Sequence, residues 1–212
     1  MKKTYIISAL AAAAACLGAG AQTLSLASPD GRNAANFYKN GKELTYSFSR
    51  DGQDIILPSR AGLDVDNWVW EMALGKRDLE QPACWMDMLT ADSVTVHPAV
   101  DSLWTPLYGE RSTVRDRFNS ATLHLSRKDK SDYRLDIEVR LYDQGLAFRY
   151  FFPEHPAAIF HKVTGDLTDY SFPDGTMAWS EKWAQATFDH TPVDSIVRPV
   201  ERALTLELPS GK

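Results

Sequence analysis

The sequence predicts an all-β protein, an antiparallel β-sandwich. Apolar and polar side chains alternate over 123–125, 135–141 and 203–208, and helical periodicity is hard to find after the first residues. Such alternation places one face of a strand in a core and the other in water. Residues typical of turns separate these stretches, at 28–31, 40–41, 51–52, 143–145 and 173–175. Short strands with turns between them are typical of a sandwich, and the less regular stretches 66–92 and 154–166 predict long loops with at most a helical turn.

The first residues have the pattern of a secretory signal peptide. Lys2 and Lys3 give a positive start, 5–17 is a mildly apolar run, and 19–21 presents small residues. This three-part pattern predicts cleavage before Gln22 and export to the periplasm or beyond. A membrane span is not expected, because spanning needs roughly 20 strongly apolar residues and this run is short and rich in alanine.

Two other interpretations of the leader remain open. It could be a short N-terminal core helix, or Cys16 could be acylated as in a lipoprotein, although only alanines precede this cysteine closely. The expected organisation is a signal peptide over 1–21 and one β-sandwich domain over 22–212. Cys84 would then be the single remaining cysteine, so we expect no internal disulfide and a fold that depends on its core or on a bound ion.

The charge of the chain argues against a nucleic-acid partner. The formal net charge is −5, and loss of Lys2 and Lys3 with the leader would move it to −7. Affinity for nucleic acids comes largely from Lys and Arg on phosphates. About 190 residues would remain after loss of the leader, which is enough for one large β domain.

Catalytic and metal-binding motifs are not evident in the sequence. It contains no nucleophile elbow, Walker loop, zinc-protease helix or dinucleotide fingerprint. Asp136 and Glu138 should share the wet face of one strand, which indicates a solvated face rather than a catalytic pair. His155 and His161 lie six residues apart without an evident third ligand. We therefore predict neither catalytic nor metal-binding residues in this chain.

Tryptophans offer the best candidates for a binding site. Trp179 and Trp183 bracket Glu181, and Trp68 and Trp70 share one strand face. Sugars stack their C–H faces on aromatic rings, and a nearby carboxylate accepts hydrogen bonds from their hydroxyls. Trp179, Glu181 and Trp183 are therefore the predicted carbohydrate-binding residues. The alternative is that these rings fill the core or seal a domain interface, because large rings mostly serve burial.

Two blocks of the sequence carry a family resemblance. They are Trp104-Thr-Pro106-Leu-Tyr108-Gly109-Glu110 with Val114-Arg115-Asp-Arg-Phe118-Asn119, and Val139-Arg140-Leu-Tyr142-Asp143-Gln-Gly145-Leu-Ala147-Phe148-Arg149-Tyr150-Phe-Phe152-Pro153. They resemble the N-terminal domain of glycoside hydrolase family 97, as do the stretches 28–31 and 57–63. The second block also reads as strand, turn and strand, hence one hairpin. Alternation puts Ala147 and Arg149 on one face of it and Phe148 and Tyr150 on the other, and Arg149 is interpreted as a structural hydrogen-bond hub.

The resemblance implies an architecture and a division of labour. Members have an N-terminal β-supersandwich of the galactose-mutarotase-like type, a central (β/α)8 barrel and a small C-terminal β domain. The catalytic carboxylates belong to the barrel, and glycoside cleavage needs two carboxyl groups across one bond. The implied substrates are α-glucosides or α-galactosides, and the implied partner of this chain is such a barrel.

Calcium is the cofactor that the resemblance implies for the whole enzyme. In the family the N-terminal domain lends it a glutamate just before an aromatic residue. Here Thr187 precedes Phe188, and Glu181 is the nearest acid but lies too early. Ser120 and Gln144 also replace acidic residues that are usual in the family. We therefore expect no cofactor in this chain alone.

The leading hypothesis is thus an accessory domain of an exported glycosidase, catalytically incomplete alone. The alternating run 203–208 ends in a turn-like stretch with no strand after it, which predicts a truncated sheet with an open edge. A free-standing carbohydrate-binding module and a non-functional gene remnant are the two alternatives.

Overall fold

The computed structural model describes residues 22–40, 42–66, 85–127, 130–154 and 161–211. Nearly all regular structure in these ranges is β-strand, and every pairing is antiparallel, which confirms the predicted fold class. The strands are β1 Gln22–Ala27, β2 Asn33–Asn40, β3 Glu43–Arg50, β4 Gln53–Ala61, β5 Leu63–Asp66, β6 Thr90–Val96, β7 Val100–Trp104, β8 Val114–Arg127, β9 Lys130–Tyr142, β10 Gly145–Phe151, β11 Lys162–Asp166, β12 Met177–Ser180, β13 Asp189–Pro192 and β14 Thr205–Glu207. The leader and Trp68, Trp70, Cys84 and His155 lie outside the described residues.

The strands form two large sheets and two small ones. The first sheet runs β1-β2-β3-β4 in sequence order, and the second runs β10-β9-β8-β6 with β7 also paired to β8. A ribbon of β11 and β5 and a three-stranded sheet in the order β13-β12-β14 complete the described part. No helix in the described residues is long and apolar enough to cross a membrane.

Predicted turns join several of these strands. Arg50 pairs with Gln53 across a two-residue turn in which Asp51 and Gly52 have φ of 53° and 75°. Positive φ at both central positions is the turn geometry that suits the twist of a hairpin, and Asp-Gly adopts it readily. Tyr142 likewise pairs with Gly145, so the second family block is the hairpin predicted for it.

The core lies between the two large sheets. Leu135, Ile137, Val139 and Leu141 of β9 are almost completely buried. The first sheet contributes Leu24, Phe37, Leu44 and Tyr46 to the same cluster, together with other residues of both sheets. The alternation predicted for β9 is therefore confirmed, with Asp136 and Glu138 on its outer face.

Three aromatic rings join the sheets at one place. Phe37 stacks on Tyr46 within the first sheet at a centroid distance of 5.8 Å. Phe148 of β10 packs edge-on against Phe37 at 5.7 Å and lies 5.1 Å from Tyr46. The predicted faces of β10 are confirmed, since Phe148 and Tyr150 pack against the core while Ala147 and Arg149 are exposed.

The predicted loops are partly wrong. A 3-10 turn at Trp85–Met88 matches the expected helical turn, but β6 begins within the supposed loop at Thr90, and β11 lies within 154–166. Both strands are rich in polar and exposed residues, because each lies at the edge of its sheet, so their alternation is weak. The run 203–208 is a strand only over Thr205–Glu207.

The segment that leads to the small sheet runs along β4. Leu167 donates its amide to the carbonyl of Gly62 at 2.9 Å, and Asp169 donates to Arg60 at 2.8 Å. A Cβ at Gly62 would lie 2.9 Å from the Cβ of Leu167, so this close approach requires glycine. These contacts fix the position from which β12 starts.

Candidate functional site

The predicted binding residues lie in and after β12, the central strand of the small sheet. Ala178 and Ser180 are buried, whereas Trp179 points outward with 42 % of its surface exposed. Trp179 pairs in register with His190 on β13 and with Thr205 on β14. Because side chains of paired residues share a face of the sheet, the outer face carries the indole between a histidine and a threonine.

A cluster of three side chains forms on this face. The indole of Trp179 and the imidazole of His190 are stacked, with ring centroids 4.2 Å apart and an angle of 14° between their planes. The Nε2 atom of His190 lies 3.4 Å from Oε2 of Glu207 on the far strand. The cluster, called the Trp179 cluster below, therefore combines a flat aromatic surface with a carboxylate.

Glu181 and Trp183 lie beyond the strand, in an irregular segment. Trp183 is 60 % exposed, and its carbonyl accepts the amide of Ala186 at 2.8 Å in a turn. The carbonyl of Glu181 accepts the amide of Glu201 at 2.9 Å. The structure thus shows Trp179 in a packed cluster with partners other than the two predicted ones, and places Glu181 and Trp183 on the adjoining loop.

His190 and Glu207 were missed by the sequence interpretation. They lie 11 and 28 positions from Trp179, and only the strand pairing brings them together. The run Met177-Ala178-Trp179-Ser180 does not alternate between apolar and polar residues, so the sequence does not indicate which way Trp179 faces. Which residues flank it depends on register across loops of uneven length, and register cannot be read from one sequence.

The acids on the outer face of the second sheet do not form a free carboxylate pair. Asp136 accepts from Nδ1 of His124 at 2.9 Å. Glu138 accepts from Nε of Arg149 at 2.6 Å, so the predicted role of Arg149 as a hydrogen-bonding residue is realised with one partner. An Arg–carboxylate pair of this length is a strong charge-assisted bond that orders both side chains.

The implied calcium does not fit the residues present. Calcium takes six to eight oxygen ligands, and no group of three or more acidic or histidine side chains suited to a metal occurs in the described ranges. Thr187 occupies the expected glutamate position, and the next acid, Asp189, lies 3.5 Å from the ammonium of Lys182.

Comparison with known proteins decides the family. The model of the glycosyl-hydrolase 97 N-terminal family matches residues 26–211. This chain belongs to that family. Its sequence is 30 % identical over 155 residues to a retaining alpha-galactosidase of Bacteroides thetaiotaomicron, which covers 73 % of this chain and 20 % of the relative.

Solved structures of the glycosyl-hydrolase 97 family show the same fold. Two structures of an enzyme from Pseudoalteromonas sp. strain K8, one a variant in complex with panose and one in complex with acarbose, match with a TM-score of 0.74 at 19 % identity. Each match covers 89 % of this chain and 27 % of the solved one. A beta-arabinopyranosidase matches with a TM-score of 0.61 at 19 % identity, over 78 % of this chain and 26 % of that one. The chain therefore spans about a fifth to a quarter of the length of these proteins.

Proposed function

We propose that this domain is a carbohydrate-contacting accessory domain that acts beside the catalytic domain of a family 97 glycoside hydrolase and does not cleave glycosides alone. The observation that carries the proposal is the Trp179 cluster, in which an exposed indole is stacked on the imidazole of His190 beside the carboxylate of Glu207. The proposed ligand class is an α-glucoside or α-galactoside, since one relative is a retaining alpha-galactosidase and the solved relatives hold panose or acarbose.

The geometry of the cluster suits a sugar ring. Stacking on His190 fixes the plane of the indole, so little side-chain freedom is lost when a ligand packs against it. Glu207 is more than half exposed and can accept hydrogen bonds from hydroxyls at the rim. Trp183 and Phe188, each 60 % exposed, extend the apolar surface along the adjoining loop.

Glycoside cleavage requires two carboxyl groups about 5 Å apart for retention, or about 6.5–9.5 Å apart for inversion. In the described ranges, Asp136 bonds to the imidazole of His124 and Glu138 to the guanidinium of Arg149, and Glu110 lies in an exposed loop. We infer that catalysis belongs to a separate domain, in the same polypeptide or in a partner.

Ligand binding by the full chain tests the sugar-contacting role. Isothermal titration with panose and with melibiose should give weak binding, and Trp179→Ala should weaken it roughly tenfold through loss of the stacked surface. Trp104→Ala is the matched control, because Trp104 is about equally exposed but lies on β7. Equal affinities for all three proteins would contradict the sugar-contacting role and favour a domain interface at this surface.

Turnover tests the catalytic part of the proposal. Nitrophenyl α-glucoside and α-galactoside, with calcium added, should release no nitrophenol above background. Activity that Glu110→Ala or Glu181→Ala abolishes would mean that the sandwich itself is an enzyme. The compartment proposed is the periplasm or the exterior, and an intact mass of the exported protein that begins at Gln22 would support it.

A further inference from the structure

The outer face of the second sheet contains an open depression of about 550 Å³. The strands β8, β9 and β10 form its floor, and the stretch 97–100 forms one wall. Its polar lining consists of His97, Ser120, Thr122, Glu138, Arg140 and Arg149. Pockets for small ligands have volumes of roughly 300–1,000 Å³, so the depression has room for one or two sugar rings.

The guanidinium of Arg140 lies over an aromatic ring within this depression. Its Cζ atom lies 4.7 Å above the ring centroid of Phe118. Phe118 is buried although it faces outward, because Arg140 covers it and Tyr142 packs against it at 5.1 Å. A guanidinium that lies over an aromatic ring keeps its N–H groups directed sideways from the ring, in the fork that matches a carboxylate.

No carboxylate in the described part of the chain neutralises the charge of Arg140. Among the described residues its guanidinium has no carboxylate or carbonyl partner. Arg149 and Glu138 neutralise each other through their 2.6 Å bond. One positive charge therefore remains in the depression, on a chain whose net charge is −5.

Hydroxyl and carboxylate groups surround this charge. Ser120 pairs in register with Arg140, and Thr122 pairs with Glu138, so both hydroxyl groups lie on the same face as the guanidinium. The Thr122 hydroxyl is held by Nε2 of His97 at 2.8 Å. These groups can exchange hydrogen bonds with the hydroxyls of a sugar. The carboxylate of Glu138 would repel a ligand that carried a second negative charge.

We propose that this depression binds a carboxylated sugar, a uronic acid or a glycan that ends in one. The ligand's carboxylate receives two N–H groups of Arg140, and its ring hydroxyls meet Ser120 and Glu138. A singly charged carboxylate matches the single unpaired guanidinium better than a doubly charged phosphate does. The site is separate from the Trp179 cluster and does not depend on its role.

Titration of the full chain with uronates tests the proposal. Sodium glucuronate and sodium galacturonate should bind about tenfold or more tightly than glucose and galactose, because a bond to a charged group is worth more than a neutral one. Arg140→Gln should remove this preference, so that uronates and neutral sugars bind with similar affinity. Arg140→Lys keeps the charge but loses the fork, so it should retain only part of the preference.

Controls separate the site from general charge and from folding. Arg134→Gln removes an equal charge from an exposed position on the same strand and should leave uronate binding unchanged. Ser120→Ala should weaken uronates and neutral sugars alike without disturbing Phe118, and it remains informative if Arg140→Gln fails to fold. Equal binding of uronates and neutral sugars, or a preference that survives Arg140→Gln, would overturn the proposal. Inorganic sulfate that competes as well as unlabelled glucuronate would show a plain oxyanion site and would equally overturn it.

Discussion

The side-chain amide of Asn33 donates to the carbonyl oxygen of Tyr142 at 2.8 Å, across 109 residues of sequence. The same Nδ2 reaches the carbonyl of Asp143 at 3.1 Å, and Oδ1 accepts from Arg50 at 3.0 Å. Asn33 is fully buried. One amide at the start of β2 therefore fastens the first sheet to the β9–β10 hairpin.

Replacing Asn33 by alanine should destabilise the protein by about 2–4 kcal/mol. The substitution leaves two carbonyls and a charged donor without this partner at a buried position, and such groups are costly to leave unpaired. Urea unfolding measures the change. Ser25→Ala on the neighbouring strand is the control, since the bond that Ser25 donates to Asn36 is exposed, and its cost should stay under about 1 kcal/mol. Equal losses for the two variants would contradict this role of Asn33.

Stability should fall at alkaline pH, in part through Tyr150. Burial raises the pKa of Tyr150 to about 12, above its ordinary value of 10.0. The raised value means that folding favours the neutral phenol. Its contribution is thus complete below about pH 10 and is lost as the pH rises through about 12.

The variant Tyr150→Phe tests this assignment. The free energy of unfolding, measured in urea at several values between about pH 9 and 12, should fall less steeply for the variant than for the parent protein. Some slope should remain, because burial also raises the pKa of Tyr46 above its ordinary range. Identical slopes in the two proteins would exclude Tyr150 as a contributor.

Calcium should bind no more tightly than millimolar. The described residues offer no cluster of oxygen ligands, and Thr187 stands where the family has a glutamate. Isothermal titration of the metal-stripped chain with calcium chloride provides the measurement. A micromolar site would show that the ligands lie elsewhere in the chain, and Glu181→Gln would be the first variant to examine.

The loop between β7 and β8 should strengthen binding of the protein to apolar surfaces. Leu107 is 100 % and Tyr108 is 90 % exposed, and Leu103 and Trp104 lie exposed beside them. Contiguous apolar surface of this kind favours association. The double variant Leu107→Ser, Tyr108→Ser should elute markedly earlier in hydrophobic-interaction chromatography, with stability changed by no more than about 0.5 kcal/mol.

A matched substitution distinguishes a patch from a single exposed residue. Val197 is 89 % exposed, but it lies outside this loop. Val197→Ser should therefore shift elution much less than the double variant. A shift as large as that of the loop variant would mean that exposed area in general, and not the loop, determines retention.

The central strands could be predicted because their neighbours cover one face and leave the other wet. Leu135, Ile137 and Val139 follow that rule strictly, and the Asp-Gly and Asp-Gln-Gly turns are local. The edge strands β6 and β11 could not be predicted from the sequence, because a strand that is exposed to water at a sheet edge needs little alternation of apolar and polar residues.

Contacts between residues that are distant in sequence could not be predicted either. Phe118 faces outward, where alternation predicts a polar residue, and it is buried because Arg140 lies over it and Tyr142 packs against it. The partners of Trp179 come from two other strands. Trp179 could therefore be selected as a candidate from the local sequence, whereas the side chains around it could not be predicted.

The order of the strands means that the first sheet is synthesised well before the strands that cover its apolar face. β1 to β4 pair with their sequence neighbours, so the first sheet can form once Ala61 is available. The residues that cover its apolar face lie mainly in β8 and β9, and β9 ends at Tyr142, about 80 residues later. At roughly 5–20 residues per second, about 4 to 16 seconds separate the synthesis of Ala61 from that of Tyr142. Before Leu135 and Ile137 are synthesised, the second sheet cannot cover this apolar face. A chaperone can therefore bind the face before the two sheets pack together.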